Sequence, residues 1–305
     1  MTILNIKKTY KRSALAAAIL LVFTGNVNAE SLVALNSNNR IGVFDSSAAS
    51  INTTLFNTIT GTAAGETFVG IDLRPSNNLV YGISSANRIY TINPNTGVSS
   101  FVANLSQSII DVTNKSYGFD INPIVDRTEN ASLRLVSSTG DNYSINAATG
   151  AVTVATSIAA GFTGVAYRNS DASTPAVAPA TTELYYINSA TDTLASAQTN
   201  FSNPVITTDG PLGVNILNVN GFEITRTSNA YGAFSTNPNS LNSDFYTVDL
   251  DAGTALRVGS FIGTVNGLTS APVGAISAIP EPETYAMMLG GLGMLGFASR
   301  RRKNK

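Results

Sequence analysis

The chain has 305 residues, with 18 basic and 19 acidic side chains, no histidine and no cysteine. Without histidine it lacks the commonest general base and metal ligand, and every Ser-His-Asp arrangement is excluded. Without cysteine there are no disulfides and no thiol chemistry, so stability must come from packing.

Taken in chain order, Lys7, Lys8, Lys11 and Arg12 form a positive stretch, Ala14 to Phe23 an apolar core, and Val27-Asn28-Ala29 a small-residue site ahead of Glu30. This order predicts a secretory signal peptide over residues 1–29, cleaved between Ala29 and Glu30. A second processing segment, residues 280–305, closes the chain, leaving a body over residues 30–279. Four basic residues precede that body, and five basic and two acidic residues follow it. The body therefore holds nine basic and 17 acidic residues, a net charge near −8. An acidic body of this kind does not favour nucleic acid or an anionic lipid surface as a partner. Lys115 is its only lysine.

Within the body, Asn, Ser, Thr and Gly punctuate short runs of Val, Ile, Tyr and Phe: Leu79 to Ile83, Arg88 to Ile92, Leu133 to Val136 and Phe245 to Val248. Such runs read as strands, and no long helical periodicity accompanies them. The segments Asn93-Pro94-Asn95-Thr96-Gly97, Asn146-Ala147-Ala148-Thr149-Gly150 and Asp249-Leu250-Asp251-Ala252-Gly253 each separate two such runs and read as hairpin turns.

A glycine followed by an apolar residue recurs as Gly70-Ile71-Asp72, Gly118-Phe119-Asp120, Gly164-Val165-Ala166, Gly221-Phe222-Glu223 and Gly267-Leu268-Thr269. The spacing is about the length of a four-stranded propeller blade, which predicts an all-β fold with five blades. The stretch after Gly267 is too short for a blade. Strands around Leu32 to Leu35 and Ile41 to Phe44 are expected to complete it, closing the ring by pairing N-terminal with C-terminal strands. The unit from Gly164 is the most degenerate, with no Thr-Gly turn and a Pro/Ala-rich insertion at Ser173 to Thr182. Six blades and a two-sheet sandwich stay open as alternatives.

The runs Glu66 to Pro75, Arg88 to Gly97 and Tyr117 to Arg127 resemble a bacterial family known only as a domain of unknown function. The resemblance covers most of the body. It implies a β-propeller that often carries a C-terminal sorting tail, and it implies no activity.

The chemistry available to such a scaffold is limited to carboxylates. Neither a Gly-x-x-x-x-Gly-Lys phosphate loop nor a dinucleotide fingerprint is present, so no catalytic residue and no organic cofactor is expected. Asp72, Asp120 and Glu223 stand two residues after the repeated glycine in three units, with Ala166 and Thr269 in the other two. Equivalent positions converge on a propeller axis. These acids could hold Ca²⁺ through oxygen ligands, or act as acid and base in a glycoside hydrolase or lyase. The plainer expectation is that each accepts backbone N–H groups in the turn after its strand. Asn52, Asn130 and Asn200 begin Asn-x-Ser/Thr triplets, which matter only in a glycosylating host. Asp249 and Asp251 lack EF-hand spacing and read as part of a hairpin.

At the C-terminal end, Pro280, Glu281 and Pro282 precede an apolar run from Tyr285 to Ala298, closed by Arg300, Arg301, Arg302 and Lys303. This order resembles the PEP-CTERM sorting tail of Gram-negative bacteria, which implies recognition by an exosortase in the inner membrane and removal of the tail. As a short apolar helix outside the domain, the run would span about 21 Å, against about 30 Å of hydrocarbon. That shortness, with four glycines between 290 and 296, fits transient insertion followed by cleavage better than permanent anchoring. The expected protein is exported through the Sec translocon and sorted to the cell surface or extracellular matrix. There it would act as a non-enzymatic binding or structural propeller toward exopolysaccharide or surface proteins. The alternative is a carbohydrate-active hydrolase.

Overall fold

The computed structural model describes residues 29–170 and 178–275. The expected signal peptide up to Asn28, the first half of the Pro/Ala-rich insertion, and the tail with Pro280–Pro282, the expected apolar helix and Arg300–Arg302 lie outside the described residues.

The chain opens with β1 (Ser31–Asn36) and β2 (Arg40–Asp45), then two short strands, β3 (Ser50–Asn52) and β4 (Asn57–Thr58). Blade one follows as β5 (Phe68–Arg74), β6 (Leu79–Ser84), β7 (Arg88–Ile92) and β8 (Ser99–Asn104). Blade two is β9 (Tyr117–Ile121), β10 (Ser132–Ser137), β11 (Asn142–Asn146) and β12 (Val152–Val154). Blade three is β13 (Phe162–Tyr167), β14 (Leu184–Asn188), β15 (Thr193–Ala197) and β16 (Thr207–Pro211). Blade four is β17 (Asn220–Ile224), β18 (Ala230–Phe234), β19 (Asp244–Val248) and β20 (Ala255–Ile262), and β21 (Val265–Ser270) is the last strand described.

Each blade is one antiparallel meander, and the five separate sheets exclude the six-blade and sandwich alternatives for the described residues. Blade five is ordered β21-β1-β2-β4, so the ring closes by pairing its two ends, with Leu35 opposite Gly267 and Ala34 opposite Leu268. Closure gives the C-terminal strand β21 a sheet to join. A second stitch was not legible beforehand. After β2 the chain crosses to blade four, where β3 pairs in parallel with β20, Ile51 lying opposite Phe261. The buried Thr53 then locks the crossing, donating to the Ile262 carbonyl at 2.8 Å and accepting from Asn36 Nδ2 at 3.1 Å.

The innermost strands carry the repeated glycines, for a steric reason. A Cβ on Gly118 would lie 2.8 Å from the backbone of Gly164 and Val165, and one on Gly221 would lie 2.9 Å from that of Gly267. Gly70 faces Phe119, Gly164 faces Phe222 and Gly267 faces Ile71, so the five contacts run once around the axis. Only a residue without a Cβ lets neighbouring backbones approach so closely. Outside this ring the core is divided among the interfaces between blades. Phe119, Leu133, Ile83 and Ile89 pack between blades one and two, for example, and Phe44, Phe245 and Phe261 between blades four and five.

The three expected hairpin turns form as read. In each, the first Asn or Asp accepts an N–H two residues on, and the glycine donates to that first residue's carbonyl at 2.8–2.9 Å. Gly97, Gly150 and Gly253 all have φ between +70° and +74°. Asp249 is spent on capping its own turn, to which it supplies acceptors for Asp251 and Ala252. Blade three departs from the pattern. Its link between β15 and β16 uses Asn200 at φ +52° in place of a Thr-Gly turn, which is why this unit is the degenerate one in sequence.

Candidate functional site

Along an inner strand, residues two apart share a face. Because the repeated glycine faces the next blade, the residue two positions later faces it too, at a level where the strands leave room for a side chain. Asp72, Asp120 and Glu223 occupy that level and are 4%, 2% and 3% exposed. The structure brings all three together at the axis, one oxygen of each lying within 4.8 Å of the others.

Their partners differ from the turn expected beforehand. Asp72 accepts the Ile121 N–H of the next blade at 2.8 Å, along with the N–H of its own neighbour Leu73 at 2.7 Å. Glu223 accepts the Ser270 N–H at 3.0 Å and its hydroxyl at 2.5 Å, again from the next blade. The N–H groups of Tyr167, in the following blade, and of Ile121 lie beside Asp120 and act to lower its carboxyl, the Ile121 N–H itself being donated to Asp72. Thr269 repeats the motif with a neutral oxygen, accepting the Leu73 N–H at 2.8 Å while donating to Asp72 at 2.8 Å. In Asp72, Glu223 and Thr269 the side chain two residues after the glycine is thus a staple to the next inner strand. Ala166, between Asp120 and Glu223 in the ring, offers no acceptor.

The electrostatics of this level are unfavourable to three separate charges. Burial pushes the Asp72 carboxyl up to about 7, although bonds from Thr269, Ile121 and Leu73 oppose the rise. Asp120 is raised well above the ordinary carboxylate range by burial and then by the charges of Asp72 and Glu223. Glu223 is raised likewise by burial and by Asp72. Asp120 Oδ1 is buried with no hydrogen-bond partner. Arg74, the basic residue nearest to Asp72 in the chain, is committed elsewhere. Its Nε donates to Asp126 at 2.6 Å, across the junction of blades one and two.

The axis is not a through channel. At the glycine level only about 10 Å³ is free, no more than room for about one water. Each end of the ring has its own cavity. At the end where the inner strands begin, a cavity of about 200 Å³ is lined by Asn36, Asn39, Asn218, Asn220, Asn266 and Tyr117, with Lys115 on its wall. Asn220 Oδ1 and Asn266 Oδ1 there are buried without partners. At the opposite end a cavity of about 450 Å³ is lined by Glu30, Ser31, Thr225, Ser270 and the segment up to Ala275. The residues of the amide-lined mouth are scattered over four blades, so no single motif carries them. The one local pattern that marks it is an Asn just ahead of Gly221 and of Gly267. Among the described residues, no helix is long and apolar enough to cross a membrane.

Comparison with known proteins places these features in a family. Residues 40–269 match the model described as "Domain of unknown function (DUF4394)", and residues 278–303 match the PEP-CTERM protein-sorting motif. That motif marks an exported protein processed by an exosortase. No curated protein matches significantly. Similar solved structures include the calcium-binding protein regucalcin from Agrobacterium tumefaciens, 12% identical, with a TM-score of 0.39 over 66% of this chain and 61% of that one. The chain therefore spans less than two thirds of that relative. A chain of a nidogen/laminin complex is 11% identical, with a TM-score of 0.45 over 80% of this chain and 98% of that one. A putative 6-phosphogluconolactonase from Bacteroides uniformis is 14% identical, with a TM-score of 0.37 over 79% and 71%. With its family model spanning most of the propeller, the chain belongs to the DUF4394 family and bears a PEP-CTERM sorting motif behind the ring.

Proposed function

We propose that this protein is a non-enzymatic display module, exported and sorted to the cell surface or matrix, whose amide-lined mouth binds neutral polar partners such as exopolysaccharide. The observation that carries this reading is the disposition of the two ends. Glu30, where the signal peptide is expected to be cut, and Ala275, which leads to the sorting tail, line one cavity, while the mouth with five asparagines opens at the other end. Before processing, both membrane-directed segments would leave from one face, and the mouth would point away from the inner membrane. Uncharged amides supply donors and acceptors together, the pattern that pairs with sugar hydroxyls, and two of these acceptors have no protein partner.

The hydrolase alternative is less well supported. Retaining glycosidases hold their two carboxyls about 5–5.5 Å apart with one free to attack, and inverting ones about 6.5–9.5 Å apart around a water. One oxygen of each of Asp72, Asp120 and Glu223 lies within 4.8 Å of the others, all three are buried, and Asp72 and Glu223 are occupied by backbone N–H groups. The test is co-sedimentation of the exported protein with polysaccharide of its host, together with a glycan array. Retention should fall at least tenfold in an Asn218→Ala, Asn266→Ala double variant, with no reducing ends released. Release of reducing ends that stops in Glu223→Gln would replace this reading with the enzymatic one.

A further inference from the structure

We propose that Asp72, Asp120 and Glu223 hold a divalent cation, Ca²⁺ in first place, on the propeller axis. This goes beyond the display function and concerns a different level of the molecule from the amide-lined mouth. Two independent observations carry it. The first is geometric: three carboxylate oxygens within 4.8 Å of one another lie at the separation that oxygen ligands at about 2.3–2.6 Å from one Ca²⁺ would have. The second is the Asp120 side chain, 2% exposed, whose Oδ1 has no hydrogen-bond partner. A buried carboxylate oxygen left without a donor is costly, and a cation at the centre of the three acids would supply the missing partner.

The surroundings select the kind of ion. The chain has no histidine or cysteine, so the donors are hard oxygens, which suit Ca²⁺ or Mg²⁺ over Zn²⁺ or copper. Mg²⁺ keeps several waters in an octahedral shell, and a level whose ligands are 2–4% exposed leaves little room for them. Backbone N–H staples fix Asp72 and Glu223 and leave further lone pairs free. Asp72 is held by Ile121 and Leu73, and Glu223 by Ser270 through one oxygen only. Ala166, between Asp120 and Glu223 in the ring, puts little bulk into the gap. Repulsion among three acids becomes attraction to a common charge. The ion would tie blades one, two and four together across the axis.

The experiment uses the full chain in mild detergent, stripped with EDTA and then titrated with CaCl₂. Metal content is read by elemental analysis, and stability by thermal unfolding. One Ca²⁺ per chain is expected, with a rise in Tm of at least about 5 °C at saturation, since an ion that binds only the folded state stabilises it. Equal MgCl₂ should give a smaller rise. Asp120→Asn and Glu223→Gln should each weaken Ca²⁺ binding at least tenfold and remove the Tm rise. If either variant fails to fold, wild-type stoichiometry together with the other variant still decides. Wild type that neither retains Ca²⁺ nor gains stability at millimolar concentration overturns the proposal. So do variants that bind as tightly as wild type, which would place the ion elsewhere. Polysaccharide retention is read separately at the mouth, so failure of one proposal is distinguishable from failure of the other.

Discussion

Substitution of Gly118 by alanine tests why the glycines repeat. The added Cβ would lie 2.8 Å from Gly164 C, 2.8 Å from Val165 N and 2.9 Å from Gly164 Cα. All three are backbone atoms of the adjacent inner strand, so no rotamer change relieves them and blades two and three must separate. Overpacking of a rigid core costs about 1–3 kcal/mol, and this contact belongs at the upper end. At about 2–4 °C per kcal/mol for a domain of this size, Tm should fall by about 6–12 °C. Two controls separate steric crowding from backbone strain. Gly213 has φ +75° and nothing within 4 Å, so alanine there meets only the left-handed strain of about 1–2 kcal/mol, partly offset by the unfolded chain. Gly42 would meet the Phe56 ring at 2.5 Å, a side chain that can turn away. Differential scanning calorimetry should therefore rank Gly118→Ala as clearly the most destabilised. A Gly118→Ala protein melting within about 2 °C of wild type, or no lower than Gly213→Ala, would refute the reasoning.

Three further outcomes follow from the same geometry. Thr269→Val removes the hydroxyl that accepts from Leu73 and donates to Asp72, and should cost about 1.5–3 kcal/mol in urea unfolding, whereas Thr269→Ser should cost under about 1 kcal/mol. Asp126→Ala strips the Arg74 guanidinium and the Ser76 N–H of their acceptor, and should cost about 3 kcal/mol, with Asp126→Asn milder. Glu66 gives a pH dependence: burial raises its carboxyl, but bonds from Ser84, the Ala63 N–H and Tyr90, together with the Arg88 charge, outweigh that and lower it below its ordinary 4.5. A lowered folded value means that the contribution is complete above about pH 4.5 and is lost as pH falls through the folded value. Between about pH 6 and pH 3, wild type should lose more stability than Glu66→Gln, and equal losses would assign the acid sensitivity to other groups.

The parts of this fold that were legible in the sequence are those set by local chemistry. The Asn-to-Gly and Asp-to-Gly turns announce themselves because an Asx side chain and a left-handed glycine are both needed within five residues. The inner-strand glycines were legible because close packing on the next inner strand demands the same residue in every blade. The closure of Gly267 by the N-terminal strands followed from counting. Features that depend on register between distant segments were not legible. The three residues of β3 carry no signal that sends them to blade four. The donors to Asp72 and Glu223 come from the next blade, 47 to 49 residues away, and a turn of their own was the natural but incorrect expectation. The link between Arg74 and Asp126 spans 52 residues. Both residues sit in the runs that carry the family resemblance, yet nothing in either run names the other as its partner.

The last strand of the closed ring, β21, ends at Ser270, so removal of a tail that begins at Pro280 should leave the ring whole. The claim that this is a sorted, surface-displayed propeller is tested most directly by the intact mass of the protein recovered outside the inner membrane. The expected product begins at Glu30, lacks the residues after Pro280-Glu281-Pro282 and still unfolds cooperatively. Recovery of the exported protein with Arg300 to Lys305 still attached would contradict it.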